Sequence, residues 1–205
     1  MFFKKILPQL DANLQAKGIT EPNVLQQQVI SKIKAGYNVN IIADKETGKT
    51  TLALINVINK LRYAQGDNPR ALIFVNDKAA ALIIEEQFKA LAKGTDLRVY
   101  PIFEEQQIDK QKDAVYLGVD VVIGTPKRLS KLYSLNGLNL RELKLFIVDD
   151  ADALEKTAVH SDIIRLSDAV NKCQYIILSS KHNNRIDKIK QSINQKGQRI
   201  ENIKL

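Results

Sequence analysis

Residues 43–51 read ADKETGKTT, and the tandem Lys49–Thr50 behind Gly48 is a pair with a defined phosphate chemistry. The run fits the pattern [AG]xxxxGK[ST]. In such a loop, backbone N–H groups cradle phosphates, the lysine reaches the β- and γ-phosphates, and the hydroxyl coordinates Mg²⁺. The segment behind it, TLALINVINKL, has a helical pattern, so the loop feeds a helix amino terminus whose dipole favours a triphosphate. The candidate nucleotide-binding residues are Ala43, Asp44, Lys45, Glu46, Thr47, Gly48, Lys49, Thr50 and Thr51. Glu46 works against that role, because a carboxylate in the loop repels phosphates and its Cβ occupies a turn position that glycine suits better. At 145–152, LFIVDDAD ends an apolar run in paired carboxylates. An acid at a strand's carboxyl end can hold Mg²⁺, and its neighbour can orient an attacking water. Asp149 and Thr50 are thus the candidate metal residues, and Asp150 and Lys49 the candidate catalytic ones. Taken alone, Asp150 and Asp152 read better as caps of a following helix. The loop at this separation favours the metal reading.

Loop and acids need a frame that brings them together. Six short β-branched or aliphatic runs fall at 39–43, 71–75, 97–101, 120–124, 145–149 and 175–179. Amphipathic stretches alternate with them near 49–63, 77–93, 104–117, 127–134, 160–171 and 183–196. This alternation predicts strands joined by crossover helices, and the continuously apolar runs predict a mostly parallel sheet covered on both faces. The expectation is an α/β fold: a three-layer α/β/α P-loop domain. Residues 1–36 form a helical lead-in in front of an α/β core at 37–205. Within the lead-in, Gly18 ends one helix and Pro22 stands at the turn into the next. No linker or internal repeat divides the chain, so 1–205 reads as one domain.

Composition narrows the partners. With 44% hydrophobic and 26% charged residues the chain is ordinary globular protein, and no apolar run reaches the length that spans a bilayer. The amino terminus, MFFKKILPQL, is too short in apolar residues for a signal peptide. Cys173 has no cysteine to pair with and adjoins the apolar YIIL, so it reads as a buried inert thiol in a reducing, cytoplasmic compartment. His160 and His182 lack partners at metal-ligand spacing and read as surface or helix-start residues. The 31 Lys and Arg against 23 Asp and Glu give +8, which raises the expectation of an anionic partner. Residues 181–205 hold seven of those bases against two acids, a basic tail suited either to solvent or to phosphates.

At this point the residues resemble the first, ATP-binding domain of the DEAD-box RNA helicases, a RecA-like P-loop fold, over nearly the whole chain. GITEPNVLQQQVI resembles the family's Q motif, whose adenine-reading glutamine maps to Gln26; a side-chain amide offers the donor and acceptor that adenine requires. ADKETGKT resembles the phosphate loop, and Asp149, Asp150, Ala151 and Asp152 resemble the DEAD element. GTPKRL resembles the TPGR motif that touches the RNA backbone, which maps that role to Thr125, Pro126, Lys127 and Arg128. NDKAA stands where the family has PTREL and keeps a positive charge at Lys78. SSK at 179–181 resembles the SAT motif. The resemblance implies ATP and Mg²⁺ as ligands and RNA, held without sequence preference, as partner.

Four departures bear on activity. DEAD has become DDAD, so Asp150 is one methylene shorter than the family's glutamate. Lys127 replaces a glycine, acids near Phe103–Glu105 stand in place of a double-glycine element, and SSK lacks the family's alanine and threonine. The family's second domain, which closes on the nucleotide and supplies arginine fingers, has no counterpart in the chain. Slow or absent hydrolysis and no unwinding by this chain alone are therefore expected, unless a partner supplies that domain in trans. The alternative is a catalytically inactive RNA- or protein-binding module that keeps the fold. Gln26 and the position of GTPKRL directly after a strand argue against a non-helicase P-loop ATPase.

Overall fold

The computed structural model describes residues 6–154 and 157–204. In chain order its elements are α1 (Pro8–Ala16), α2 (Val24–Lys34), β1 (Asn38–Ile42), α3 (Lys49–Leu61), β2 (Ala71–Phe74), α4 (Lys78–Leu91) and β3 (Val99–Ile102). They continue with α5 (Ile108–Tyr116), β4 (Val121–Gly124), α6 (Pro126–Ser134), β5 (Leu145–Val148), α7 (Thr157–Asp168), β6 (Gln174–Ser179), α8 (Asn184–Gln195) and β7 (Ile200–Lys204). The strands form one sheet in the order β3-β4-β2-β5-β6-β1-β7, and every pairing is parallel.

The two-residue period of the strands sorts their side chains onto two apolar layers. Val39, Ile41, Ile73, Ile147 and Leu178 face one side with the buried residues of α1 to α4, and Leu72, Phe74, Phe146, Val148 and Ile177 face the other with those of α5 to α8. Three rings, Phe74, Phe146 and Tyr175, line up across β2, β5 and β6 at centroid separations of 4.7 and 5.1 Å. The helix behind the phosphate loop, α3, is buried on nearly all sides, which fixes its amino terminus against the sheet.

Three features depart from the sequence reading. The lead-in helices are part of the core rather than an appendage to it: Leu10 and Leu14 of α1 and Val29 of α2 are fully buried in the first layer. Residues 1–5 of that segment lie outside the described residues. The basic tail ends in a seventh strand, which pairs with β1 from Asn38↔Ile200 to Ile42↔Lys204. Its sequence, Ile-Glu-Asn-Ile-Lys, alternates around a half-exposed edge and so lacks the apolar run that marks the interior strands. His160 lies in the first turn of α7, a helix-start position, and is buried there rather than at the surface. Cys173 is buried as expected, and burial pushes its thiol up to about 12.

At the amino-terminal end of β4, Asp120 is fully buried between two arginines. Its Oδ1 lies 2.5 Å from Arg70 and its Oδ2 2.9 Å from Arg98. Arg70 also donates to the Tyr63 carbonyl at 2.5 Å. These bonds tie the start of β2, the start of β4 and the exit of α3 into one polar knot.

Candidate nucleotide and nucleic-acid site

Apart from Gln26 in α2, the chemistry-bearing segments follow the carboxyl ends of strands, the edge at which open parallel sheets bind ligands. The phosphate loop follows β1, Asp149 follows β5, and Ser179 ends β6, the strand lying between them. The end of β6 holds both neighbours: the Ala43 N–H donates to the Ser179 carbonyl at 3.1 Å, and the Ala151 N–H to the Leu178 carbonyl at 2.8 Å. Residues far apart in sequence thereby form one lip.

Lys49, the first residue of α3, is buried, and its Nζ donates to the carbonyls of Ala43 at 2.6 Å and Asp44 at 2.5 Å. The Thr47 hydroxyl closes the same turn on the Asp44 carbonyl at 2.8 Å. Asp44, Lys45 and Glu46 are exposed, and Glu46 sits in the left-handed region at φ 62°, a conformation that glycine would reach without strain. Gly48 is required twice over: its φ is 79°, and a Cβ there would meet the Gln26 Nε2 at 2.9 Å. The first-turn amides of α3, on Lys49, Thr50 and Thr51, have no helical acceptor and are the natural anion donors of the loop.

Gln26 is buried at the start of α2, where it does structural work that sequence reading had not assigned to it. The Asn23 N–H donates to its Oε1 at 3.2 Å, and its own N–H donates to the Asn23 Oδ1 at 2.9 Å, a reciprocal capping box. Asn23 then extends Nδ2 to the Thr47 carbonyl at 2.9 Å, tying the cap of α2 to the phosphate loop. Asn three residues before Gln is a sequence-level capping signature, so Asn23 was legible as a partner of Gln26. A pocket of about 320 Å³ opens beside the pair, lined by Asn23, Val24, Leu25, Ala43, Asp44 and Thr47.

Across the lip, the Thr50 hydroxyl lies 3.0 and 3.1 Å from the two carboxylate oxygens of Asp149. Burial, together with the neighbouring Asp150 charge, pushes the Asp149 carboxyl up to about 6. Three hard oxygen donors on a desolvated carboxylate and a hydroxyl are the donor set of a Mg²⁺ site, and a cation there would relieve the cost of burying the charge. Asp150 adjoins it in the left-handed region at φ 44° and is half-buried. Among the described residues, Asp152 bonds to Ser180 rather than to a helix start. Its carboxylate accepts from the Ser180 N–H at 2.9 Å and from the Ser180 hydroxyl at 2.5 Å. Burial works to raise its pKa, and those bonds outweigh burial and hold it below the usual carboxylate value.

The second set of residues follows β2, β3 and β4. Lys78 opens α4, exposed, with Nζ 5.4 Å from the centroid of the Phe103 ring. Thr125 and Pro126 start α6 and are buried, and Lys127 is exposed. Arg128, expected to meet phosphates, is turned inward: its Nε donates to the Gln111 Oε1 at 2.7 Å and its Nη2 to the Gln106 carbonyl. The cause is local. The expected helix over 104–117 begins only at Ile108, and residues 103–107 instead form a turn whose polar groups meet α6. Thr125 donates to the Glu104 Oε2 at 2.6 Å. Gln111, fully buried between Arg128 and the Phe103 carbonyl, was not singled out by the sequence, and nothing local marks it.

A family model described as DEAD/DEAH box helicase matches residues 23–189. The chain is 25% identical over 187 residues to DEAD-box ATP-dependent RNA helicase 41 of Oryza sativa subsp. japonica, covering 88% of this chain and 35% of the helicase. It is 31% identical over 163 residues to DEAD-box ATP-dependent RNA helicase 53 of the same organism, covering 77% and 27%. The chain therefore spans about a third of the length of these relatives. The crystal structure of a DEAD box protein from the hyperthermophile Methanococcus jannaschii matches at a TM-score of 0.88 and 21% identity, over 98% of this chain and 54% of that one, and so shares its fold. The family match runs from the Asn23 cap through the phosphate loop and the Asp149 acids to α8, and the chain belongs to the DEAD/DEAH box helicase family.

Proposed function

We propose that this domain binds ATP with Mg²⁺ at the lip between β1 and β5, hydrolyses it slowly by itself, and holds an RNA backbone weakly along the neighbouring strand ends. One observation carries the nucleotide reading: Thr50 and Asp149, 99 residues apart, meet at 3.0 Å beside the buried Lys49. Thr50 and Asp149 are the residues that would hold Mg²⁺, which when bound supplies charge neutralisation at the phosphates. Lys49 exchanges the Ala43 and Asp44 carbonyls for phosphate oxygens, a stronger acceptor for an ammonium. The first-turn amides of α3 orient the phosphate chain, and the base takes the pocket at Asn23, Val24 and Leu25, next to Gln26 in α2. Asp150, next to Asp149, accepts the proton side of an attacking water. Lys78, the Thr125 hydroxyl at the start of α6 and Lys127 form the RNA-facing set, suited to phosphate rather than base edges, with Pro126 and the inward Arg128 holding the turn behind them.

The inward Arg128 and the exposed Glu46 favour the second reading, a binding module with lost catalysis. Titration with a fluorescent ATP analogue, with and without Mg²⁺, separates the two. The nucleotide reading expects Mg²⁺-dependent binding weakened in Lys49→Ala by a few kcal/mol, on the scale of a charge-assisted contact. Absence of binding at millimolar analogue, in the folded chain, leaves only the module.

A further inference from the structure

The residues that the RNA reading assigns to phosphate are mostly engaged already, and by one short segment of the same chain. Phe103–Gln106 follows β3, and because β3 pairs with β4, the turn lies directly against Thr125 at the start of α6; the Thr125 N–H donates to the Ile102 carbonyl at 3.1 Å. The Glu104 carboxylate accepts the Thr125 hydroxyl at 2.6 Å, the length of a charge-assisted O–H···O⁻ bond. Arg128 is taken by the Gln106 carbonyl and by Gln111, which itself donates to the Phe103 carbonyl at 2.9 Å. Lys78 lies over the Phe103 ring at 5.4 Å. Of the charged residues in the set, Lys127 is exposed without a hydrogen bond or ion pair among the described residues.

We infer that Phe103–Gln106 is a built-in competitor for the nucleic-acid backbone, with the Glu104 carboxylate standing where a phosphate oxygen would accept from Thr125. The inference rests on the RNA reading above and adds its regulation. A carboxylate and a phosphodiester are both anionic acceptors, so the same hydroxyl serves either one but not both. A phosphate approaching Thr125 must first displace Glu104, and until it does so it meets like charge from both Glu104 and Glu105. RNA affinity is thereby held low by a contact that a single side-chain movement releases. Glu104 is exposed while Phe103 is anchored in the first apolar layer, so the Glu104 side chain can rotate outward without opening that layer.

The test measures fluorescence anisotropy of a short labelled oligouridylate on the full chain across a salt series. Glu104→Ala is expected to tighten binding about tenfold and to steepen the slope of log K against log salt by about one, the signature of one further phosphate contact. Adding Thr125→Val to that variant is expected to cancel the gain. Glu105→Ala makes the same charge change at a neighbour that forms no hydrogen bond or ion pair among the described residues, and is expected to tighten binding far less. Equal gains from Glu104→Ala and Glu105→Ala, or a Glu104→Ala gain that survives Thr125→Val, would reduce the effect to bulk charge and overturn the inference. Wild-type binding that falls in Lys127→Glu yet is unmoved in Glu104→Ala overturns the inference and leaves the RNA reading intact. Binding indifferent to Lys127→Glu in both the wild-type and the Glu104→Ala chain places the RNA elsewhere and overturns both.

Discussion

Glu46 holds a left-handed backbone and a negative charge at the rim of a loop whose other features favour an anion. The conformation costs a non-glycine residue on the order of 1 kcal/mol, and the charge adds repulsion of similar size toward a phosphate within several ångströms. Glu46→Gly removes both. Its affinity for a Mg²⁺–ATP analogue is expected to rise about three- to tenfold, read by titration calorimetry, with no loss of melting temperature. A level or weaker affinity would show that Glu46 points its charge away from the bound phosphates. Asp150 shares the left-handed geometry at φ 44° but follows β5 rather than lying in the phosphate loop, so no such gain is expected from glycine there. Arg128 teaches the converse at the same scale. Its identity in the TPKR run suggested a free cation, and only the adjacency of Gln106 and Gln111 in space makes it a strut.

Among the elements, β4 carries a pH-sensitive weld at its start. Burial works to raise the Asp120 pKa, and hydrogen bonds from Arg98, Arg70 and Gln65 overcome it and hold the carboxyl below its usual value of 3.8. A carboxyl depressed in the fold contributes stability that is present above the unfolded value and disappears as pH falls through the folded one. Melts of the wild-type chain are therefore expected to lose this contribution only below about pH 4, the unfolded carboxylate range. Asp120→Asn leaves Arg70 as a buried cation without its counter-charge and is expected to cost about 3 to 5 kcal/mol at neutral pH. It should also flatten the acid limb of the melting profile. A melt within a degree of wild type would mean that water reaches Arg70. Elements such as β2, β4 and β5 were plain in the sequence, because runs like ALIF and VVIG bury every residue. The GKT turn was equally plain, since loop, glycine and helix are contiguous. The seventh strand and the late start of α5 were hidden for one reason: their residues take their partners from β1 and α6, at sequence separations of 162 and 17, and no local pattern encodes that.

For the molecule as a whole, the proposed nucleotide reading makes turnover depend on what closes over the lip. All strand ends that carry the site face one way, and the family's phosphoryl transfer relies on positioning and charge stabilisation rather than covalent chemistry. An arginine finger from a closing partner is worth about 10³ to 10⁵ in rate. At about 1.4 kcal/mol per factor of ten, that is roughly 4 to 7 kcal/mol of barrier. Neither Arg70 nor Arg128 can supply it, since both are buried and engaged. The chain alone is expected to release phosphate from ATP very slowly, without stimulation by single-stranded RNA, and to separate no duplex. Asp150→Glu should recover little, because the missing cation outweighs a methylene. RNA-stimulated turnover near one per second, abolished in Lys49→Ala, would falsify the need for a closing partner.

The pairing of β7 with β1 has a bearing on solubility. Without residues 200–204, the strand that feeds the phosphate loop would present its own amides and carbonyls to solvent along Val39–Ile41, and Asn40, whose Nδ2 donates to the Asn202 Oδ1 at 3.0 Å, would lose that partner. An apolar strand with a bare rim is a template for a neighbouring molecule, whereas β7 guards the same rim with Glu201 and Lys204 on a half-exposed run. A chain ending at Arg199 is expected to scatter light at concentrations where the full chain stays clear, and to melt at a lower temperature. If it stays clear and melts with the full chain, the rim is protected by something other than β7. On that expectation β7, with one acid and one lysine in its five residues, acts as a cap against strand-to-strand assembly of separate molecules.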